Sequence, residues 1–392
     1  MLDTNNPGKS SAAMLQPTIV VSVNAAWNLV NFRHSLLRGL VDAGCRVVAV
    51  APPDGREGEL AAMGVEFEPI AIDRRGMSPL ADAKLLGAYI RLLRRLAPAA
   101  YLGFTIKPNV YGGLACRLLG IPRIANIAGL GTSFLKRDLL NSLVRRLYAA
   151  GLSGAERVFF QNRDDCARFV TEELVKRDQV ALLPGSGVDL ARFAPSVREP
   201  DGNTVFLLVT RLLRAKGVAE FVETSALLRA RHGDRIRCRI LGIRDHSAGG
   251  IDAATLDRWA QEGEVELLDA RADVRPVLAD ADCVVLPSYY PEGTPRSLLE
   301  ALATGKAIIT TDMPGCRDVV DAGVNGFLCR PRDVGSLAEA MERYHLLGSD
   351  ERAALSRGSR AKAVRQFDER LVIDAYRATL FDIISSPSRV EA

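Results

Sequence analysis

Short, continuously apolar runs alternate with amphipathic stretches along almost the whole chain. Runs of that kind read as strands buried on both faces, and apolar residues at helical spacing between them read as covering helices. In the first half, strands are expected near 18–23, 46–51, 65–72, 100–105, 121–127, 157–160 and 180–183. Helices are expected near 31–43, 57–63, 81–97, 109–119 and 133–150, with another between the last two strands. Leu36, Leu37, Leu40 and Val41 share one face of the first helix. Leu135, Leu139, Leu140, Leu143, Val144 and Leu147 share one face of the helix at 133–150. Residues 24–28 read as a loop.

The rhythm pauses at the turn-rich segments 184–189 and 194–203 and restarts at an apolar run from Val205 to Val209. Helices near 216–231, 252–262, 273–279, 295–304 and 335–346 then alternate with strands near 236–241, 264–268, 283–286, 307–310 and 327–329. A helix near 367–384 closes the chain. Strictly alternating elements predict α/β architecture with parallel sheets, here in two similar units. The length of 392 residues also favours two cores over one. The expected division is a disordered leader at 1–16, a first domain at 17–190, a second at 191–365, and a crossing-back helix with a tail at 366–392.

Composition narrows the class. An apolar fraction of 48% with 25% charged residues is that of a globular protein. No apolar run approaches the ~20 residues that span a bilayer, and the leader lacks the apolar core of a secretory signal. Seven cysteines lie scattered without a Cys-x-x-Cys pair, and four histidines lack metal-ligand spacing. Residues 70–150 carry 13 Lys and Arg against three Asp and Glu, an asymmetry that points to an anionic partner for the first half.

The chemistry concentrates where strands turn into helices. After the run 283–286 comes Pro291-Glu292-Gly293-Thr294-Pro295, then a helix carrying Glu300 and stopped by Gly305. Thr294 is the expected N-cap and Pro295 the expected first helical residue. Backbone N–H groups at such a helix start suit a phosphate or a polar ligand. Arg211 and Lys216 flank the turn after the first strand of the second half; two cations at a helix start read equally as a diphosphate cradle or a solvated basic loop, and Glu292 at the same sheet edge favours the cradle. Asp280-Ala281-Asp282 has the form of a metal-binding D-x-D, but it sits at a helix end before an apolar strand. It reads as helix termination, and no metal is expected. No G-x-G-x-x-G follows a strand, which argues against a dinucleotide oxidoreductase.

Four features in order resemble the retaining GT-B glycosyltransferases of family 4. They are Leu183-Pro184-Gly185-Ser186-Gly187-Val188-Asp189 with Phe193; Arg211 with Lys216-Gly217; Val284-Val285-Leu286-Pro287-Ser288; and Glu292 with Glu300, followed by Ala301, Gly305 and Pro314-Gly315. The first half is similar to bacterial enzymes that build lipid-linked oligosaccharides. That similarity rests on the stretch from Asn24 to Arg33, on Thr105-Ile106-Lys107-Pro108-Asn109-Val110-Tyr111-Gly112, and on Gly129-Leu130-Gly131.

The resemblance implies two Rossmann-like domains facing across a cleft, with the last helix returning to the first domain. It implies that Arg211 and Lys216 neutralise the donor diphosphate and that Glu292 faces the transferred sugar with the backbone of Gly293, Thr294 and Pro295. Glu300 would take the ribose, and the segment at Leu268 and Asp269 the base. The acceptor side would involve Lys107, Asn109, Gly129 and Gly131. Trp27 and Asn28 are candidates for that side, with packing and a turn as the alternative. Many relatives carry a first-domain histidine near the transferred sugar, whereas the corresponding loop here reads Asn126-Ile127-Ala128-Gly129 and no histidine sits at a suitable strand end. The implied activity is retaining transfer of a sugar, an N-acetylhexosamine by resemblance, from a UDP-sugar to a polyprenyl-diphosphate-linked saccharide. It needs no cofactor, metal or nucleic acid. The expected location is cytoplasmic, on the inner face of the plasma membrane, with residues 70–150 against anionic lipid. A GT-B nucleotide-sugar epimerase and a non-catalytic nucleotide-sugar-binding subunit are the competing readings.

Overall fold

The computed structural model describes residues 16–73, 78–130, 139–245, 247, 249–271 and 273–385. Its strands form two sheets, each parallel throughout. The first contains β1 (Thr18–Ser22), β2 (Arg46–Ala51), β3 (Glu66–Pro69), β4 (Ala100–Phe104), β5 (Arg123–Ile127), β6 (Arg157–Phe160) and β7 (Val180–Leu182), in the order β3-β2-β1-β4-β5-β6-β7. The second contains β8 (Thr204–Leu212), β9 (Ile236–Arg244), β10 (Glu266–Leu268), β11 (Cys283–Leu286), β12 (Ala307–Thr311) and β13 (Gly326–Cys329), in the order β10-β9-β8-β11-β12-β13.

Both orders reverse once, between β1 and β4 and between β8 and β11. A reversal sends neighbouring connections to opposite faces and opens a crevice at the carboxyl ends of the strands. The apolar runs are buried as their continuity demands: β4, β5, β11 and β12 are buried at every position. One core gathers on the second sheet around Phe206, Leu286 and Ile309. Others cover the two faces of the first sheet.

The closing helix, Glu369–Ser385, does return to the first sheet, where Val372, Tyr376, Leu380 and Ile383 join its core. The outgoing and returning segments run side by side: Val188 N donates to Phe367 O at 2.8 Å, and Glu369 N donates to Val188 O at 3.1 Å.

Four local expectations need correction. The helix expected at 31–43 after a loop is two helices, Ala26–Phe32 and His34–Asp42, hinged at Arg33. Trp27 and Asn28 are therefore helical. Arg33 leaves helical geometry at φ −131°, and its guanidinium stacks over Phe104, 4.6 Å from the ring centre. Pro295, not Thr294, is the N-cap of the helix Arg296–Ala303, because the Thr294 hydroxyl is drawn off to Gln161 O at 2.9 Å. The helix Ser349–Lys362 was not expected. It buries Leu355, Ser359 and Lys362, too sparse an apolar stripe to register. Within the helix expected at 133–150, the described part begins at Leu139, and Leu143 is exposed rather than buried.

Candidate active site

A cleft of about 1050 Å³ separates the carboxyl edges of the two sheets. On the second-sheet wall, the turn after β8 ends at Gly217, which takes φ +75°. A β-carbon there would strike the backbone of Pro287, so glycine lets this turn pack onto the loop after β11. Tyr289 N donates to Ala215 O at 2.9 Å and fixes the contact. The packing carries Lys216 to Glu292, with Nζ 2.5 Å from Oε2, both side chains about 10% exposed. Ser288 Oγ donates to the other carboxylate oxygen of Glu292 at 2.6 Å. Lys216 also stands 5.3 Å from the ring centre of Tyr290. Arg211, at the end of β8, is half exposed and pairs with Asp245 at 3.2 Å. A buried cation and carboxylate pair beside a half-exposed arginine can hold a polyanion and change partners as charge develops.

Glu300 lines the same cleft. Burial pushes its carboxyl up, and the Arg296 guanidinium, 3.0 Å away, pulls the other way. Arg296 is itself anchored to Gly187 O at 2.9 Å and Ser186 Oγ at 3.3 Å.

The first-sheet wall is built from the ends of β1, β4, β5 and β6. Thr105, just past β4, has φ +67°, a strained geometry for a β-branched residue, and its buried hydroxyl has no partner among the described residues. Asn109 Nδ2 donates to Asn126 O at 2.8 Å, while Asn126 Nδ2 donates to the Tyr376 hydroxyl at 2.9 Å. The carbonyl oxygens Oδ1 of both asparagines are buried and have no partner among the described residues. Lys107 lines the cleft, but its cation is taken by Asp82 at 2.6 Å. Trp27 meets Phe32 edge to face at 5.1 Å, and its N–H of the backbone donates to Asp54 at 2.9 Å.

The two walls touch at the donor-side loop. Gly129, at φ +104°, lies so close to Gly293 N and Glu292 C that a β-carbon could not fit. Gln161 and Asn162, past β6, grip the same loop: Thr294 N donates to Gln161 Oε1 at 3.3 Å, and Asn162 Nδ2 donates to Glu292 O at 3.1 Å. The Thr294 N–H expected to face a ligand is thus occupied. Asn162 also holds Asp165, whose burial pushes its carboxyl up to about 6.

Of the residues singled out from sequence, the cleft gathers Trp27, Asn28, Lys107, Asn109, Gly129, Arg211, Lys216, Gly293, Thr294, Pro295 and the pair Glu292 and Glu300. Leu268 and Asp269 line a smaller adjoining cavity of about 380 Å³, which shares Gly242, Ile243 and Ala270 with the cleft. Gly131 lies outside the described residues. His34 lines the cleft from a helix start, not a strand end. Sequence reading missed Arg33, Gln161 and Arg296. Asp280 and Asp282 lie away from the cleft: Arg239 binds Asp280 at 2.5 Å, and Asp282 accepts from Val205 N at 2.7 Å. Among the described residues no cluster of three metal-ligating side chains occurs, and no helix is long and apolar enough to cross a membrane.

Comparison with known proteins matches both halves. Residues 18–162 match the family described as "Glycosyl transferase 4-like", and residues 203–345 match "Glycosyl transferases group 1". The chain is 27% identical to the N,N'-diacetylbacillosaminyl-diphospho-undecaprenol alpha-1,3-N-acetylgalactosaminyltransferase of Campylobacter jejuni, over 90% of this chain and 95% of that one. It is 23% identical to the UDP-Gal:alpha-D-GlcNAc-diphosphoundecaprenol alpha-1,3-galactosyltransferase of Escherichia coli, over 79% of this chain and 82% of that one. Anabaena HepE, crystallised with UDP and glucose, superposes with a TM-score of 0.74 at 18% identity, over 93% of this chain and 99% of that one.

Proposed function

We propose that this chain, which belongs to the GT-B glycosyltransferases with a family 4-like first half and a group 1 second half, transfers a sugar from a UDP-sugar to a saccharide carried on a polyprenyl diphosphate. The observation that carries the reading is the meeting of Lys216 with Glu292, beside Arg211, at the cleft between the two sheet edges. In this reading the donor diphosphate draws Lys216 away from Glu292, and Arg211 adds a second cation as negative charge grows on the leaving nucleotide. Such electrostatic stabilisation is commonly the largest catalytic contribution. Glu292, released, faces the sugar that becomes cation-like. Glu300 accepts from the ribose hydroxyls.

The Campylobacter jejuni and Escherichia coli relatives are named for undecaprenyl-diphosphate-linked acceptors, which supports a lipid-linked acceptor here, and the first, an N-acetylgalactosaminyltransferase, supports an N-acetylhexosamine donor. The reaction retains anomeric configuration, with the leaving phosphate taking the acceptor proton, so Glu292 and Glu300 are not the acid and base of a glycosidase. Two cations at the diphosphate make a divalent metal unnecessary; activity that vanishes in EDTA and returns with Mn²⁺ would refute that. The first domain docks on an anionic leaflet through its basic face, where Lys84, Arg91 and Arg94 are exposed. Purified protein that ignores anionic vesicles at low salt would refute the docking.

The deciding experiment offers UDP-, GDP- and ADP-sugars with a prenyl-diphosphate-linked monosaccharide and follows nucleotide release. UDP release that depends on the acceptor is expected. Equal release without acceptor, with free sugar as product, would favour an epimerase or hydrolase instead.

A further inference from the structure

Arg33 is a buried cation on the first-sheet wall of the cleft, 7% exposed. Its contacts are few. Nη1 donates to Phe32 O at 2.9 Å, the guanidinium lies over Phe104, and Nε is shut from solvent with no partner among the described residues. No carboxylate among the described residues forms an ion pair with it. The ionisable groups that bear on it are the Tyr376 hydroxyl and another cation, Arg296. A buried cation without a counter-charge is costly, and burial lowers the Arg33 pKa without neutralising so strong a base. An arginine held in that state awaits an anion.

The surroundings specify what is attached to that anion. Phe104, beneath Arg33, pairs in register with Asn126 on β5. Among the described residues, Asn126 Oδ1 and Asn109 Oδ1 are buried acceptors without donors, and the Thr105 hydroxyl also has no partner. Acceptors of that kind repel an anion and suit hydroxyl or amide N–H groups. An anion-seeking guanidinium beside hydroxyl-seeking carbonyls matches a phosphate joined to a sugar, that is, a glycosyl diphosphate. Both substrates of the proposed reaction have this chemistry. The donor's diphosphate already has Arg211 and Lys216 on the opposite wall.

We propose that Arg33 binds a phosphate of the acceptor's diphosphate, with Asn109 and Asn126 taking the sugar attached to it. The proposal rests on the lipid-diphosphate acceptor argued above. It places the lipid-bearing end of the acceptor against the first sheet, at the break between the helices Ala26–Phe32 and His34–Asp42.

The test uses the full chain and Arg33→Gln. With UDP saturating, inorganic pyrophosphate is titrated calorimetrically: the wild type should bind it, and Arg33→Gln should lose at least tenfold in affinity. In steady state, Arg33→Gln should raise KM for a prenyl-diphosphate-linked monosaccharide tenfold or more and leave KM for the UDP-sugar within twofold. A rise in donor KM instead would reassign Arg33 to the donor and overturn the proposal, as would unchanged values for both. If Arg33→Gln does not fold, wild type and Arg33→Lys are compared on diphosphate-linked and alkyl-glycoside acceptors. Arg33→Lys should discriminate less between them, and equal discrimination overturns the proposal. A wild type inactive on every lipid diphosphate sinks the acceptor reading itself. The pyrophosphate titration still judges Arg33, because pyrophosphate binding unaffected by Arg33→Gln would remove the anion site altogether.

Discussion

Lys216 and Glu292 neutralise each other across two loops, Nζ to Oε2 at 2.5 Å, in the cleft between the two sheet edges. A ligand diphosphate must therefore compete with a carboxylate for this lysine. Lys216→Met should cut kcat by 10²- to 10³-fold, roughly 3–4 kcal/mol, and weaken UDP binding. Glu292→Gln should do the opposite to binding: it frees Lys216, so UDP binds more tightly while turnover falls. Calorimetric UDP titration and initial rates separate the two variants. Weaker UDP binding by Glu292→Gln would show that the ion pair does not gate the site.

Arg211 differs from Lys216 in being half exposed and paired with Asp245. Arg211→Ala should lower kcat/KM by about tenfold or more, with little loss of thermal stability, since a surface ion pair contributes ~0–1 kcal/mol. Near-wild-type rates would remove Arg211 from the diphosphate cradle.

Gly129 has no room for a β-carbon against the Glu292–Gly293 backbone and takes φ +104°. Gly129→Ala should lower the unfolding free energy by ~1–3 kcal/mol and depress activity further by pushing the loop of Glu292 out of place. Denaturant midpoints together with UDP-release rates check both effects.

Asp165 is buried, with its carboxyl pushed up to about 6 by desolvation. A carboxyl raised in the folded state contributes stability that is present at low pH and declines as pH rises toward about 6. Asp165→Asn should therefore stabilise the protein at pH 7–8 by up to ~3 kcal/mol and have much less effect near pH 4. Melting temperatures of both proteins across that range test the sign.

Thr105 holds a left-handed backbone at the cleft edge, at a cost on the order of 1–3 kcal/mol. Thr105→Gly should raise stability by about 1 kcal/mol after glycine's own chain entropy is counted. It should also lower activity through loss of the unpartnered hydroxyl. A destabilised Thr105→Gly would show that the strain is absorbed elsewhere.

The local grammar of the chain was legible where one segment carries its own signal. Residues 283–286 announce a buried strand, and the glycine and prolines after it announce a turn into a helix, so Glu292 and Glu300 could be placed. Gly305 ends that helix at φ +73°, as its residue type requires. What could not be read depends on other segments. Thr294 has the composition of an N-cap but spends its hydroxyl on Gln161. Asn162 shows itself as a helix start, with Asp165 N donating to its Oδ1 at 2.7 Å, yet nothing local tells that its amide reaches Glu292. Arg33 hides inside an apparently continuous helical periodicity, broken by the stacking of its guanidinium on Phe104. Leu268 ends the edge strand β10 and Asp269 follows it, one step from the main cleft, a displacement that only the strand order reveals.

The returning helix Glu369–Ser385 has a consequence for how the protein comes into being. During synthesis the first sheet emerges early, but the side chains that seal one of its faces are among the last to leave the ribosome. Until Val372, Tyr376, Leu380 and Ile383 arrive, that face stays open, and Asn126 lacks the hydroxyl that orients its amide. Earlier-made parts of a chain ordinarily fold first; here the first domain must wait for the second to be finished. A nonsense mutation just before Glu369 would therefore spare every residue of the nucleotide wall and still leave the opposite wall unformed.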